Sequence, residues 1–460
     1  MLQVVTASKN ESAPPANVTR VIVNELVRRR IEEYPADIVE LAKQCITDFL
    51  AVTLAGTRES GATAIAAELL EAGEDRGAAT IIGLGQRTSA LDAALINGVA
   101  AHALDYDDVC LPMSAHPSVV ILPALLALAE KRNATGGQVL ESFVAGYEAG
   151  ARIGMFMAPS HYDHGFHGTG TIGTFAAAAA CAHLMHLDGD AAERAIGIAA
   201  AQAAGIRSMF GTDCKPLHAG KGAYNGLLAA LLAARGFTSA TAAVECPNGF
   251  ATTHGGARNG VSALANPAGD YFLRQNLFKY HAACYMTHAA ANAIVAVMDE
   301  HSVGYDLIER VTVTVDESLD SVCNIASPRT GLEMKFSLRT VAALSLLQRD
   351  TSRLSCFIDD SVDEADVATA RDKIEVALAS IKPITRTLVL LQLKDGRSLK
   401  AECDSGVPET DLARQKRKLQ RKFEALVGEV LSPSRAVELL QMIDALEREP
   451  DIAGLMRLTF

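Results

Sequence analysis

Apolar residues recur at the spacing of an α-helix through most of the first half of the chain. In one segment Ile38, Leu41 and Cys45 fall on a single helical face, and a period near 3.6 residues favours a helix. Short polar loops separate further segments with the same period. We predict helices over residues 21–30, 37–54, 62–72, 89–103, 118–131, 137–155, 173–185, 190–204 and 222–235.

Strand patterns begin after residue 265. Residues 310–316 alternate between apolar and polar side chains, which is typical of a half-buried strand. Residues 387–393 and 399–403 flank a turn that contains Asp395 and Gly396, so we predict a β-hairpin there. Helical spacing returns over residues 287–298, 338–347 and 367–379.

The order of these elements predicts a mainly α fold in three parts. Residues 1–265 are expected to form a large helical domain, and residues 266–403 a smaller α+β domain. Residues 404–460 are again helical and strongly charged, and we expect them to return to the first domain. At 460 residues the chain is too long for one ordinary hydrophobic core, which favours at least two domains.

Composition excludes several classes of protein. The net charge of −12 argues against a nucleic-acid or anionic-membrane partner, and no apolar run approaches the roughly 18 residues of a membrane span. The first fifteen residues lack the cationic-then-apolar order of a signal peptide. The nine cysteines are scattered, with no CxxC pair. They predict reduced thiols in a cytoplasmic protein rather than a disulfide framework.

The densest chemistry lies between His102 and His116, where three aspartates, Asp105, Asp107 and Asp108, accompany the two imidazoles. Acids at the end of a helix oppose its dipole, so this arrangement costs stability and indicates a functional use. A magnesium site on the three carboxylates is one alternative. Ordinary hydrogen bonding in a polar loop is the other.

A glycine-rich segment follows three histidines. Gly168-Thr-Gly170-Thr-Ile-Gly173 matches GxGxxG but follows no strand, so a dinucleotide-binding fold is not predicted. We interpret it as a helix entry whose free N–H groups could receive a carboxylate. His161, His164 and His167 could hold a metal or make ordinary hydrogen bonds. For His167 an acid–base role and a structural role both stay open.

Two further segments carry lysines. We interpret residues 211–222, with Lys215 and Lys221, as a basic turn between two helices that could bind an anion or be merely solvated. Residues 276–288 hold Lys279, His281 and Cys284. Cys284 could act as a nucleophile beside histidine, but it precedes an apolar helical segment, which favours a buried thiol. Residues 333–339 are interpreted as a helix start with ion pairs at a domain or subunit contact.

Five of these motifs, taken in order, resemble the MmgE/PrpD family: HALDYDD with AHPS, GFHGTGTIG, CKPLHAGKGAYNG, FKYHAACYMTH and MKFSLRT. That family includes 2-methylcitrate dehydratase, cis-aconitate decarboxylase and iminodisuccinate epimerase. The resemblance covers about residues 20–450 and implies a large helical domain, an inserted α+β lid and a homodimer. It also implies an active site between the domains, with no metal or organic cofactor.

The resemblance implies catalytic roles for residues at matching positions: Asp105, His116, His167, Lys215 and Lys279. The two lysines would bind a small di- or tricarboxylate and stabilise the charge that develops on it. The histidines would serve as acid and base, and Asp105 could orient one of them. We also predict that His281 binds substrate.

We therefore predict a lyase that moves a proton and releases water or CO₂ from a small polycarboxylate. An epimerase that uses the same proton abstraction is the alternative, and a non-catalytic polycarboxylate-binding dimer is a third reading. Val109 departs from the family pattern, in which a threonine commonly follows the paired aspartates. The missing hydroxyl makes that position apolar and affects which substrate is expected.

Overall fold

The computed structural model describes residues 17–26, 31–71, 77–266 and 270–460, and most of them are helical. Residues 1–16, and residues 27–30 of the first predicted helix, lie outside the described residues. The helices are α1 (Val18–Leu26), α2 (Ala36–Gly56), α3 (Ser60–Glu71), α4 (Ala90–Ala103), α5 (Ser118–Arg132), α6 (Gly136–Met157), α7 (Ser160–Asp163), α8 (Gly168–Leu184), α9 (Gly189–Ala200), α10 (Cys214–Ala234), α11 (Phe250–Thr253), α12 (Gly260–Leu264), α13 (His288–His301), α14 (Asp320–Cys323), α15 (Gly331–Lys335), α16 (Leu338–Leu346), α17 (Ala365–Asp372), α18 (Leu412–Val427), α19 (Pro433–Asp444) and α20 (Ala453–Arg457).

The helices of the first part pack closely because small residues line their contacts. A Cβ added to Gly98 of α4 would lie 2.7 Å from the Cα of Gly220 in α10, so the two backbones nearly touch. Helix α8 is buried along its whole length, which its run of alanines allows. These contacts form one large hydrophobic core. The predicted helical domain is therefore present, and a two-residue ladder joins β1 (Ala79–Thr80) and β2 (Arg87–Thr88) within it.

A four-stranded sheet forms the second part. Its strands are β3 (Ile308–Asp316), β4 (Ile374–Ala379), β5 (Arg386–Leu393) and β6 (Ser398–Asp404), in the order β4-β3-β5-β6. The predicted hairpin is the antiparallel pair β5 and β6. This sheet, with α13 and α16, encloses a second hydrophobic core, as expected of a small α+β unit.

The prediction of one helix over residues 367–379 was wrong. Helix α17 ends at Asp372, and residues 374–379 form β4, which pairs in parallel with β3. The apolar residues Ile374, Val376 and Leu378 alternate with a period of two, and that period is the strand signal. The short segment was absorbed into the helical pattern that precedes it.

The C-terminal segment packs on the first part of the chain. Helix α18 lies along α2, where Gln415 Nε2 donates to Gln44 Oε1 at 2.9 Å and Lys422 Nζ donates to Asp48 Oδ1 at 2.6 Å. Leu419 and Phe423 of α18 belong to the large core. The domain bounds at residues 265 and 403 remain predictions.

None of the described helices combines the length and the apolar character that crossing a membrane requires.

Candidate active site

Asp105 is the centre of a group of charged side chains from three segments. It follows the end of α4 and has a left-handed backbone with φ of 51°, a conformation that aspartate tolerates better than most residues. Lys215 Nζ lies 2.6 Å from Asp105 Oδ1 and Lys279 Nζ lies 2.9 Å from the same oxygen. Lys279 Nζ also donates to the carbonyl oxygen of Asp105 at 2.6 Å. Two ammonium groups therefore share one carboxylate.

Lys215 occupies the first turn of a helix, and the prediction of a loop ahead of a helix at residue 222 was wrong. Helix α10 begins at Cys214. Pro216 fits this turn because a first-turn N–H has no helical partner to lose. A Cβ on Gly220 would lie 2.5 Å from the carbonyl oxygen of Leu95. The glycines that indicated a loop instead permit close helix packing.

The charges in this group support one another although they are buried. Burial alone would raise the pKa of Asp105, but the ammonium groups of Lys215 and Lys279 hold that pKa well below its usual range. Burial opposes the charge of Lys279, yet Asp105 and Asp107 raise the pKa of that lysine. The carboxylate and the Lys279 ammonium are thus both ionised at neutral pH.

His116 is oriented by the loop that precedes it. Its Nδ1 lies 2.9 Å from the carbonyl oxygen of Asp108 and 3.1 Å from Asp107 Oδ2. A carbonyl oxygen accepts only, so Nδ1 carries a proton, and in the neutral form of the ring Nε2 is the proton acceptor. That Nε2 is 4.0 Å from Asp105 Oδ1. His116 therefore presents the basic nitrogen of its ring to the lysine–aspartate group.

Asp107 joins two imidazoles, a role that the sequence did not assign to it. His102 Nδ1 lies 2.9 Å from Asp107 Oδ1, while Asp107 Oδ2 faces His116. Burial would raise the pKa of Asp107, but His102 and His116 keep it well below its usual range. Burial lowers the pKa of His102 to about 4. His102 is thus neutral, and its Nε2 is buried without a hydrogen-bond partner among the described residues.

His167 completes the group from the other side. It precedes α8, which begins at Gly168 and not at Gly173 as predicted. Its ring stacks on that of His102 with centroids 5.9 Å apart, and its Nδ1 lies 3.0 Å from Nδ1 of His218. Burial, with the positive charge of Lys215 nearby, keeps the pKa of His167 well below its usual range.

The structure brings five predicted residues together and gives the sixth other partners. Asp105, His116, His167, Lys215 and Lys279 form the group described above. His281 Nδ1 instead lies 2.6 Å from Thr351 Oγ1, and its Nε2 lies 3.0 Å from Asn292 Oδ1. Both of its ring nitrogens are occupied, so its role in substrate binding remains a prediction.

The described residues that could hold a metal differ from the three histidines that the sequence suggested, His161, His164 and His167. His161 bonds to the carbonyl oxygen of His254 and to Thr171 Oγ1, and His164 bonds to the carbonyl oxygen of Ser160. The described residues place four other ligands within 4.8 Å of one another, namely His102, Asp105, Asp107 and His116. Any cation there would compete with the two ammonium groups that already contact Asp105.

Three further residues near the group were missed. His218, on α10 one turn after Lys215, could have been noted in the CKPLHAGKG motif. Lys335, at the end of α15, lies in the MKFSLRT motif; burial lowers its pKa, and Asp105, Lys279 and Lys215 all act on it electrostatically. Lys422 of α18 is one of many charged residues in its segment, so the nearby sequence does not distinguish it as a site residue.

Cys284 and Val109 lie at the border of the group. Cys284 is buried, as predicted from the apolar helical segment that follows it. The backbone of Val109 pairs with that of Leu277 through N···O distances of 2.7 and 2.9 Å, and its side chain packs with Leu277, Tyr285 and Met286. The apolar character of position 109 is thus continued by its neighbours.

Comparisons with known proteins identify two domains in this chain. Residues 21–259 match the MmgE/PrpD N-terminal domain, and residues 281–448 match the MmgE/PrpD C-terminal domain. Cis-aconitate decarboxylase of Aspergillus terreus is 26% identical over an alignment of 488 positions, which covers 99% of this chain and 98% of the relative. Cis-aconitate decarboxylase of Homo sapiens is 26% identical over 385 residues, 80% of this chain and 78% of the relative.

A third relative matches about half of the chain. The cis-aconitate decarboxylase-like protein oryM of Aspergillus oryzae is 30% identical over 236 residues, 49% of this chain and 49% of the relative. The two domain matches together span the helical part and the sheet. Four of the five predicted site residues lie within the first match, and the fifth, Lys279, lies between the two matches. This chain belongs to the MmgE/PrpD family.

Proposed function

We propose that the protein is a lyase that acts on a small di- or tricarboxylate, with proton transfer and loss of CO₂ or water. The observation that carries the proposal is the convergence of Lys215 and Lys279 on Asp105, beside two histidines. Ammonium groups that share one carboxylate have capacity for further anionic oxygens.

A polycarboxylate suits the charge of the group. Lys215, Lys279 and Lys335 are three cations; Asp105 acts on all three, and Glu59 acts on Lys335 as well. The described residues give the Lys335 ammonium no ion pair or hydrogen bond. A second or third substrate carboxylate would supply that partner and compensate the burial of Lys335.

The chemistry needs a base, an acid and stabilisation of negative charge. His116 directs its Nε2 at the group because its Nδ1 is bonded to the carbonyl oxygen of Asp108, and His167 is a neutral imidazole on the same group. Loss of CO₂, or removal of a proton beside a carboxylate, leaves electrons on carbon that conjugate with a carboxylate. Lys215 and Lys279 are placed to stabilise that charge. In a decarboxylation this carbon is then protonated. In a dehydration a hydroxyl group on the neighbouring carbon takes up a proton and leaves as water.

Decarboxylation is the leading branch. Two relatives that span most of this chain are cis-aconitate decarboxylases, and at 26% identity they support the reaction class more firmly than the substrate. The apolar pairing of Val109 with Leu277 and Tyr285 favours a substrate with an apolar or unsaturated portion at that position.

An epimerase is the second candidate. His116 and His167 both lie beside His102, at ring centroid distances of 4.7 and 5.9 Å from it. Two imidazoles in one site could remove a proton from one face of a substrate and return one to the other face. Iminodisuccinate is the type of substrate that this reading favours.

The test is proton NMR in D₂O with purified protein and cis-aconitate, 2-methylcitrate or iminodisuccinate in separate tubes. The proposal expects formation of a new alkene, with CO₂ release if the branch is decarboxylation. Deuterium at an α-carbon without loss of atoms would establish the epimerase instead. The Lys279→Met variant is the control for contaminating activity, and the exposed Lys394→Met variant is matched to it. Turnover of none of these acids, together with tight binding of them, would favour a non-catalytic polycarboxylate-binding protein.

The homodimer is also a proposal, which the family resemblance supports. Sedimentation equilibrium of the purified chain tests it, and a monomer mass at working concentration would contradict it.

A further inference from the structure

His167 and His218 form a pair of imidazoles that lead from the site towards the outside. Their Nδ1 atoms are 3.0 Å apart, and their ring centroids are 5.2 Å apart. His167 is only 2% exposed, whereas His218 is partly exposed. His218 does not belong to the five predicted residues, and among the described residues its hydrogen bond to the site is the one to His167.

Two glycines make room for this pair. A Cβ on Gly170 would lie 3.0 Å from the Cβ of His218 and 2.4 Å from the carbonyl oxygen of Ala204. A Cβ on Gly205 would lie 3.3 Å from Cγ of His218, and the carbonyl of Gly205 accepts a hydrogen bond from the His167 backbone at 3.0 Å. Gly170 of the GxGxxG segment and Gly205 thus let the two rings approach.

The pair shares one proton. Burial lowers the pKa of both imidazoles, and the charge of Lys215 lowers each further. Two neutral rings joined Nδ1 to Nδ1 must have one Nδ1–H and one bare Nδ1. If His218 donates, His167 carries its proton on Nε2; if His167 donates, its Nε2 is bare. The titratable groups around His167 are His102, Lys215, His116 and His218, and among the described residues the partner of its Nδ1 is His218.

We infer that His218 is a positioning residue that relays protons between solvent and His167. The inference rests on the proposed proton-transfer role of His167. In the donating direction the His167 Nε2–H bond breaks and a substrate C–H bond forms. The shared proton moves from Nδ1 of His218 to Nδ1 of His167, and His218 Nε2 takes a proton from water, so that the negative charge of the carbanion leaves the site as hydroxide in solvent. The accepting direction reverses each transfer, so both rings are neutral before and after.

The first test measures ring-proton exchange without substrate. Protein labelled with ¹⁵N in its histidine rings is observed by NMR, and the His167 signals are assigned from the spectrum of His167→Gln. We expect His218→Asn, which keeps a hydrogen-bond donor but cannot relay, to slow exchange of the His167 ring proton with water at least about 10-fold. His254→Asn, at a neighbouring histidine outside the pair, is the matched control. Equal exchange rates in wild type and His218→Asn would overturn the relay.

The second test uses the acid that the wild type turns over. We expect His218→Asn to lower kcat about 10-fold or more with KM nearly unchanged, and imidazole added to His218→Ala to restore part of kcat. An unchanged kcat, or a loss that imidazole does not restore, would contradict the relay. A wild type that turns over no acid would refute the proposed function, and the exchange measurement would still decide the relay.

Discussion

Lys422 Nζ lies 2.5 Å from the carbonyl oxygen of Tyr106, although 316 positions separate the two residues. The same ammonium donates to Asp48 Oδ1 at 2.6 Å and lies 3.9 Å from the centre of the Tyr106 ring. Tyr106 follows Asp105 directly. The C-terminal helix α18 therefore fixes the backbone beside the central carboxylate of the site.

Replacing Lys422 should destabilise the fold. Lys422→Met leaves Asp48 buried without its cation, and loss of one partner of a buried ion pair costs about 3–5 kcal/mol. Denaturant unfolding measures the change in the free energy of unfolding. The double variant Lys422→Met with Asp48→Leu should recover much of the loss. A single variant as stable as the wild type would show that the pair is dispensable.

Lys279→Ala should weaken both binding and catalysis. The ammonium makes two hydrogen bonds to Asp105, and a hydrogen bond to a charged group contributes about 1.5–3 kcal/mol. We expect kcat/KM to fall about 10- to 100-fold, with a lower kcat and a higher KM. Steady-state kinetics, with Lys394→Ala as the control, measure this. If only KM changed, Lys279 would bind substrate without stabilising the transition state.

Asp107→Asn should lower kcat and leave KM nearly unchanged. The carboxylate of Asp107 contacts Nδ1 of both His102 and His116, and an amide would no longer stabilise the proton that His116 holds there. The fall is expected to be about 10²-fold or more, towards the loss seen for the aspartate of a Ser-His-Asp triad. Asp163→Asn, at an exposed site, is the control. A kcat within twofold of the wild type would exclude Asp107 from orienting the base.

Asp108 should make stability depend on pH between about 4 and 8. Burial, with the negative charge of Asp48 nearby, raises the pKa of Asp108 to about 8. In this range the unfolded chain releases the proton and the folded chain retains it, so stability falls as pH rises, by at most about 1.4 kcal/mol per pH unit.

The Asp108→Asn variant isolates this effect. Its amide can still bond to Ser118, which now donates from Oγ to Asp108 Oδ2 at 2.6 Å. The difference in unfolding free energy between wild type and variant should shift in favour of the variant as pH rises from about 5 to about 8. A difference that is constant over this range would mean that Asp108 is ionised in the fold.

Val109→Thr should change the preference among substrates at a small cost in stability. The new hydroxyl would enter the apolar contact with Leu277 and Tyr285 and lower the free energy of unfolding by about 1–3 kcal/mol if it finds no partner. We expect the ratio of kcat/KM values for the acids to change. Val109→Ala loses packing without adding a hydroxyl and is the control. Equal ratios in all three proteins would clear position 109 of a role in selection.

Local patterns predicted most of the helices and the hairpin because each depends on nearby residues. They failed at residues 374–379 because a short strand pattern there directly follows a helical one, and the pairing with β3 is distant in sequence. They failed at Lys215 because the glycines that indicated a loop serve the packing of Gly220 on α4. The motifs located five residues of the site. They could not locate Lys422, because nothing near it in sequence indicates its contact with Tyr106.

Asp105 is an internal competitor for any acid that binds at this site. Its carboxylate already contacts the ammonium groups of Lys215 and Lys279. A substrate carboxylate must therefore bind these groups more strongly than Asp105, which the chain itself holds beside them. A monocarboxylate would exchange one contact for another and gain little. An acid with several carboxylates would also reach cations that Asp105 leaves free, and its affinity would come from those. Discrimination against monocarboxylates would thus follow from the contacts of Asp105 with the two lysines, and it would require no steric barrier.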